Sequence, residues 1–308
     1  MAMRRYRYFI KIVEAGSITR AAEQLHIAQP ALSQQLHLLE AELGVKLLER
    51  TPRGIAPTDA GACLYERAQM LVRLETAMRH ELAERDRHPS GQVSIGIPSS
   101  TAIMLAVPIV EAVRQAYPDI CLYVMTGVSG RLEPLLHSGQ LDMAILFQAA
   151  GRGGLGVQWV FDETLYLMAP PGLAVPDPFP LEAVGRYPMI LPSASLGLRT
   201  LLDGAFARHG VTPRVVAEVD GSIPTVNTLV SRGAGCSIVP WATFAPEAGR
   251  GEVRGYRIEP EIWRPVALCR PEVPPLSRPA QAVYDVVREV IAQQLRAQMP
   301  TGSVRPRA

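Results

Sequence analysis

Only two lysines, Lys11 and Lys46, and four cysteines occur in this chain of 308 residues. The cysteines, Cys63, Cys121, Cys236 and Cys269, stand far apart and form no CxxC pair. That spacing excludes a thiolate zinc site of the usual kind and fits buried, reduced thiols better than a disulfide framework. The six histidines show no metal-ligand spacing, and four of them fall in the first 88 residues. GxSxG, P-loop and HExxH patterns are all missing, so an enzyme has little to stand on, and no metal or other cofactor is expected. One GxGxxG string, Gly151 to Gly156, runs into the strand-like VQWVF where a dinucleotide site needs a helix; it reads as a turn. No apolar run approaches a membrane span, and MAMRRYRYFI lacks the long apolar stretch of a secretory signal. The expected compartment is the cytoplasm, and no membrane partner is expected.

What is present suits a chain of two or three globular units. Hydrophobic residues make up 48% and charged residues 19%, enough to bury a core and stay dissolved. The net charge is only +2, but it is unevenly placed. Residues 1–88 hold 13 Lys and Arg against 11 Asp and Glu, whereas the remainder holds 18 of each. The excess, with both lysines, lies in the N-terminal part, where it would favour phosphate.

Gly16 to Leu43 reads as two helices joined by a tight turn. Ser17 is a good N-cap, and Ile18, Ala21, Ala22 and Leu25 give the first helix one apolar face. His26, Ile27 and Ala28 make the turn, and Pro30 sits in the first turn of the next helix, where proline is tolerated. On that second helix Leu32, Leu36, Leu39 and Leu43 fall on one side and are expected to pack inward. The opposite side carries Gln29, Pro30, Ser33, Gln34 and His37. Small side chains permit close approach to a major groove, and amides can pair with an adenine edge. Charge waits until Glu40 and Glu42. A plain helical hairpin is the bland alternative.

The stretch RYFIKIVEAGSITRAAEQLHIAQPALSQQLHLLEAELGVKLLERTPRGIAPTDAG, Arg7 to Gly61, closely resembles the DNA-binding region of the LysR-type transcriptional regulators, and within them the nitrogen-assimilation control regulators. The resemblance implies an α/β protein: an N-terminal all-α winged helix-turn-helix (1–58), a long linker helix (59–88), and a two-lobed effector domain like the periplasmic binding proteins (89–300). Ser17, Thr19, Gln29, Pro30, Ser33, Gln34 and His37 are then the expected DNA contacts. Between Val45 and Pro57, short apolar segments flank a Pro-Arg-Gly turn, which suggests the wing hairpin. From its loop alone Arg53 fits a solvated arginine as well as a minor-groove one; the resemblance favours the groove.

Thr58 to about Arg87 reads as one helix, capped by Thr58 with Asp59 at its positive end. Leu64, Leu71 and Met78 repeat every seven residues, with Leu74 in the adjacent stripe, a seam narrow enough for a partner helix. Two modules joined in this way would read a two-fold site.

Beyond Gly91 strands alternate with helices, which predicts a parallel sheet flanked by helices. GQLDMAIL (Gly139 to Leu146) and SRGAGCSIVP (Ser231 to Pro240) match family hallmarks. The resemblance implies one lobe of residues 92–162 and 266–300 and another of 163–265, with residues 301–308 a disordered tail. In each lobe a strand, a proline and hydroxyl residues lead into a helix: Ser99, Ser100 and Thr101 in one, Ser193 and Ser195 in the other. Such helix ends favour an anion, although capping alone also explains hydroxyls there. In the family this cleft receives the effector, which adds Ser129 and Phe147 as candidates.

The resemblance therefore implies a DNA-binding regulator acting as a dimer of dimers, up to a homotetramer, on double-stranded operator DNA in the nucleoid. A small polar or anionic metabolite is the expected effector, and RNA polymerase a further partner. Two rivals remain at this stage. One is an effector-independent regulator whose second half serves only oligomerisation. The other is a transport-type binding protein, disfavoured by the helix-turn-helix.

Overall fold

The computed structural model describes residues 2–51, 54–83, 88–147, 153–194, 197–297 and 303–307. The chain divides into two compact units, one of Met1–Arg87 with Ser138–Gln140 and one of His88–His137 with Leu141–Ala308.

In the first unit, α1 (Ala2–Ala15), α2 (Ile18–Gln24) and α3 (Gln29–Leu43) enclose Phe9, Ile12, Ala21, Ala22, Leu32, Leu36, Leu39 and Leu47. Ser17 caps α2, its Oγ accepting from the Arg20 amide at 3.4 Å. Gly44 ends α3 in the left-handed region at φ +71°, which a side chain would resist. One expectation fails on this helix. Leu43 is 41% exposed, because the helix stops there and its last turn overhangs the small core. Glu40 is buried and holds the start of the wing.

β1 (Leu48–Thr51) and β2 (Gly54–Pro57) pair antiparallel as the wing hairpin, with Leu48 opposite Pro57. Arg53, at the tip, lies outside the described residues. The Thr58 Oγ1 accepts from the Gly61 amide at 3.0 Å and opens α4 (Asp59–Ala83), about 37 Å long at 1.5 Å per residue.

The second unit is built on β3 (Gly91–Pro98), α5 (Ser99–Ala116), β4 (Ile120–Gly127), α6 (Ser129–His137), β5 (Met143–Phe147) and β6 (Leu155–Ala169). There follow β7 (Phe179–Pro180), β8 (Pro188–Pro192), α7 (Gly197–Arg208), β9 (Arg214–Val219), α8 (Ile223–Ser231) and β10 (Ser237–Pro240). The chain closes with α9 (Ala245–Gly249), β11 (Arg254–Glu259), β12 (Trp263–Pro271), α10 (Arg278–Ala297) and β13 (Val304–Pro306). The expected parallel pairing holds for β4–β3–β5 and for β8–β9. It holds also for β7–β11, but the rest is corrected: β12 runs antiparallel to β5 and β6, and β6 also pairs antiparallel with β10, β11 and β13. The sheet is mixed because β6 and β12 lie side by side in opposite directions as they cross between the lobes.

The first lobe packs Val93, Ile95 and Ile97 against Leu105 and Ile109 of α5 and Val283, Val287 and Ile291 of α10. In the second, β6 sends Leu165, Leu167 and Ala169 to one core and Tyr166 and Met168 to another, the two-residue alternation of a strand covered on both faces.

The C-terminal tail is not disordered over its described part. β13 pairs with Phe161–Glu163 of β6, and Ser303 is 1% exposed. Composition predicts disorder there; the order comes from arginine contacts to a carboxylate more than 140 positions earlier. Nor are all the cysteines buried: Cys63 and Cys121 are exposed, and Cys236 and Cys269 are buried. Burial pushes the Cys236 thiol up to about 11, so it is inert as a nucleophile at neutral pH.

Candidate nucleic-acid interface and cleft

The outward face of α3 gathers Gln29, Pro30, Ser33, Gln34 and His37 around one shallow concavity, joined by Leu38 and Ala41. Leu32, Leu36 and Leu39 fix this orientation from behind. Small hydroxyl and amide groups therefore project from a rigid rod, as base-edge readout requires. Leu38, 42% exposed, went unnoticed in the sequence and supplies an apolar surface of the kind that meets a thymine methyl.

At the start of α2, Thr19 is exposed, whereas the Ser17 hydroxyl is engaged as the cap. Several nearby cations are already paired. Arg5 bonds Glu42 at 2.5 Å and Lys11 bonds Glu14 at 3.1 Å. Arg20 is exposed and has no ion-pair partner among the described residues, which suits it to a phosphate.

The wing is anchored from beneath. Glu40 accepts from Lys46 Nζ at 2.6 Å and from the Leu47 amide at 3.0 Å. Burial alone would raise its carboxyl; Lys46 and the Leu47 and Leu48 amides outweigh burial and leave it below its ordinary value.

On α4, Leu64 packs into the winged-helix core, while Leu71, Leu74 and Met78 are 44%, 46% and 51% exposed. The seam expected from the heptads is thus split between the module's own core and an open stripe.

Between the lobes lies a cavity of about 390 Å³. Ser99, Ser100, Ser129 and Phe147 line it from the first lobe, and Leu198, Thr200, Ser222, Asn227 and Thr243 from the second. Ser99 Oγ donates to the Gly127 carbonyl at 3.4 Å, and Ser129 Oγ accepts from the Phe147 amide at 3.3 Å.

Two expected contacts fall elsewhere. Thr101 is 4% exposed, and its Oγ1 is buried away from the cavity lining. Ser193 also lies off the lining; its Oγ bonds Asp220 Oδ1 at 3.4 Å. Ser195 lies outside the described residues. In their place the second lobe presents Ser222, the N-cap residue of α8, whose Oγ pairs with Thr225 Oγ1 at 2.7 Å.

The group that organises this cleft is one sequence reasoning missed. Arg264, 3% exposed, borders the cavity and stacks its guanidinium 3.6 Å above the Phe147 ring. Its Nε and Nη2 bond Glu163 Oε1 at 2.9 and 2.6 Å, and Nη2 also bonds Ser100 Oγ at 3.1 Å. Nη1 makes no hydrogen bond among the described residues. The one available signal was an arginine inside the otherwise apolar strand WRPVALC; its partner stands 101 positions away.

Residues 3–62 match the family described as "Bacterial regulatory helix-turn-helix protein, lysR family", and residues 86–292 match "LysR substrate binding domain". This chain belongs to the LysR family. It is therefore a DNA-binding transcriptional regulator, and members of the family are regulators, not enzymes. Among curated LysR-type relatives it is 36% identical over 299 residues to the nitrogen assimilation regulatory protein nac of Escherichia coli (strain K12), covering 95% of this chain and 96% of that protein. The nac protein of Klebsiella aerogenes is 33% identical over 298 residues, with the same coverage.

Solved LysR-type structures share the fold. Full-length OxyR from Pseudomonas aeruginosa superposes with a TM-score of 0.74 at 22% identity, covering 97% of this chain and 99% of that one. Full-length CbnR complexed with its target DNA gives 0.67 at 23% identity, covering 94% and 100%. No helix among the described residues is long and apolar enough to cross a membrane.

Proposed function

We propose that this LysR-type regulator binds a two-fold operator as a dimer of dimers in the cytoplasm and is switched by a small polar or singly anionic metabolite held between its lobes. The α3 face, with Ser33, Gln34 and His37 at its centre, enters the major groove, Thr19 and Arg20 meet the backbone, and the wing tip at Arg53 reaches the minor groove. Leu71, Leu74 and Met78 join one pair of α4 helices. A second apolar stripe supports pairing of the effector domains: Ile103, Val107 and Val110 recur at helical spacing on α5, 48%, 65% and 42% exposed.

The observation that carries the effector is the buried Arg264 beside an open cavity. Glu163 offsets most of its charge, and Glu133 also borders the space. A polyanion would meet those carboxylates; a ligand with one carboxylate can take Nη1 and the hydroxyls of Ser100 and Ser222. The volume lies within the usual range for small-molecule sites, about 300–1,000 Å³.

Thermal unfolding across a panel of small carboxylates and polar metabolites tests this. A true effector at 100 times its dissociation constant adds about 2.7 kcal/mol of stability. Arg264→Met should abolish that shift and Ser100→Ala should weaken it. If no metabolite stabilises the wild-type chain, control by abundance replaces control by ligand.

A further inference from the structure

The C-terminal segment is built onto the edge of β6 where that strand runs between the two lobes. β13 adds to β6 at Phe161, Asp162 and Glu163. β12 pairs with the same residues of β6, so β13 must occupy the opposite edge. These are the residues at which β6 passes from one lobe to the other.

Contacts reach both sides of that crossing. The Arg307 amide donates to the Val160 carbonyl at 3.2 Å, and the Arg307 guanidinium lies 5.0 Å from the centre of the Trp159 ring; Val160 and Trp159 pack with first-lobe cores. The Thr164 amide donates to the Ser303 carbonyl at 2.9 Å, and Ser303 Oγ meets the Tyr166 hydroxyl at 2.5 Å; Tyr166 belongs to a second-lobe core. Between them, Arg305 Nε and Arg307 Nε close on the two oxygens of Asp162 at 3.0 and 2.7 Å, and Arg305 stacks 4.3 Å from Trp263. Asp162 is 3% exposed, so the pair of arginines is what makes its burial tolerable.

We infer that residues 303–307 form a strap that ties the two lobes across their hinge and sets the resting width of the cleft. Consecutive strand residues point to opposite faces. Asp162 therefore meets the strap on one face while Glu163, its neighbour, aims Arg264 into the cleft on the other. Removing the strap frees the backbone that positions Glu163. The basic Val-Arg-Pro-Arg segment behaves as a tethered peptide ligand for a groove made of Asp162, Trp159, Trp263 and Tyr166. The strap acts on the unliganded hinge, whether or not a metabolite ever occupies the cleft.

The test compares the full chain with a truncation ending at residue 302 and with the double variant Arg305→Ala/Arg307→Ala. Spin labels at Arg114→Cys and Arg208→Cys, one in each lobe, report the interlobe distance, with Cys63 and Cys121 changed to Ser. Labelled subunits are diluted into excess unlabelled protein, so that only distances within one chain are read. Both variants should broaden the distance distribution and shift its mean, and should change the emission of Trp159 and Trp263. A folded variant with altered tryptophan emission but an unchanged distance distribution overturns the strap. Unchanged emission overturns the docking itself. If truncation prevents folding, the double variant, which keeps the strand backbone, decides.

Discussion

Glu40 combines burial with charge at a point where one hydrogen-bonded carboxylate joins the recognition helix to the wing. Lys46 and the Leu47 amide hold it ionised, its pKa below the ordinary 4.5. A carboxyl with a depressed folded pKa stabilises the fold above its unfolded value and loses that contribution as pH falls through the folded one. Glu40→Gln keeps the shape and removes the charge, so it should cost about 1–3 kcal/mol at neutral pH. Urea unfolding should find the gap between variant and wild type narrowing below about pH 4, since acid neutralises Glu40 in both. A gap independent of pH would mean that packing, not charge, is what glutamine disturbs. The sequence shows Glu40 only as a charge that follows the contact face of α3; its partners come from the fold of the next segment, which brings Lys46 and Leu47 back to it. Arg264 escaped notice for the same reason, because its meaning depends on Glu163 and Phe147, both more than 100 positions away.

At the scale of the element, the proposed DNA-contact surface divides affinity and specificity between α2 and α3. Ser33 and Gln34 present groups suited to base edges, whereas Arg20 at the entry of α2 presents charge alone. Ser33→Ala with Gln34→Ala should therefore lower binding to the operator and leave random duplex untouched, each lost base contact costing about 1–3 kcal/mol. Arg20→Ala should weaken both alike and reduce the slope of log affinity against log salt by about one. Titrations against operator and scrambled duplex at several salt concentrations distinguish these outcomes. Elements with local signatures were legible: α2, α3, α5, α8 and α10 have caps or apolar periodicity written within their own span. The sequence pattern shows only Val157 to Phe161, in the first half of β6, and nothing announces β11 or β13. A strand buried on both faces carries no alternation, and a three-residue strand exists through its pairing partner rather than its own composition.

At the scale of the whole molecule, a dimer of dimers requires two separate self-complementary surfaces, since one alone closes at two subunits. The chain offers two candidates on different units. Leu71, Leu74 and Met78 leave an apolar stripe on α4, and Ile103, Val107 and Val110 leave another on α5, with Val215 and Val216 of β9 also exposed at 38% and 48% in the second lobe. Large apolar side chains grouped in this way mark contact surfaces more often than chance exposure. A charge placed at either centre must be desolvated on association, so each should break only its own interface. Leu71→Asp with Met78→Asp should leave dimers joined through the effector domains, and Val107→Asp dimers joined through α4. Sedimentation would find half the wild-type assembly in each case and monomers when the changes are combined. The two dimers should then differ on DNA. The α4-linked form keeps two recognition helices at fixed spacing and should protect a single two-fold site, whereas the other form holds its winged helices without that spacer and should lose cooperative binding to both half-sites. If Val107→Asp leaves the assembly whole, the α5 stripe is not the second interface.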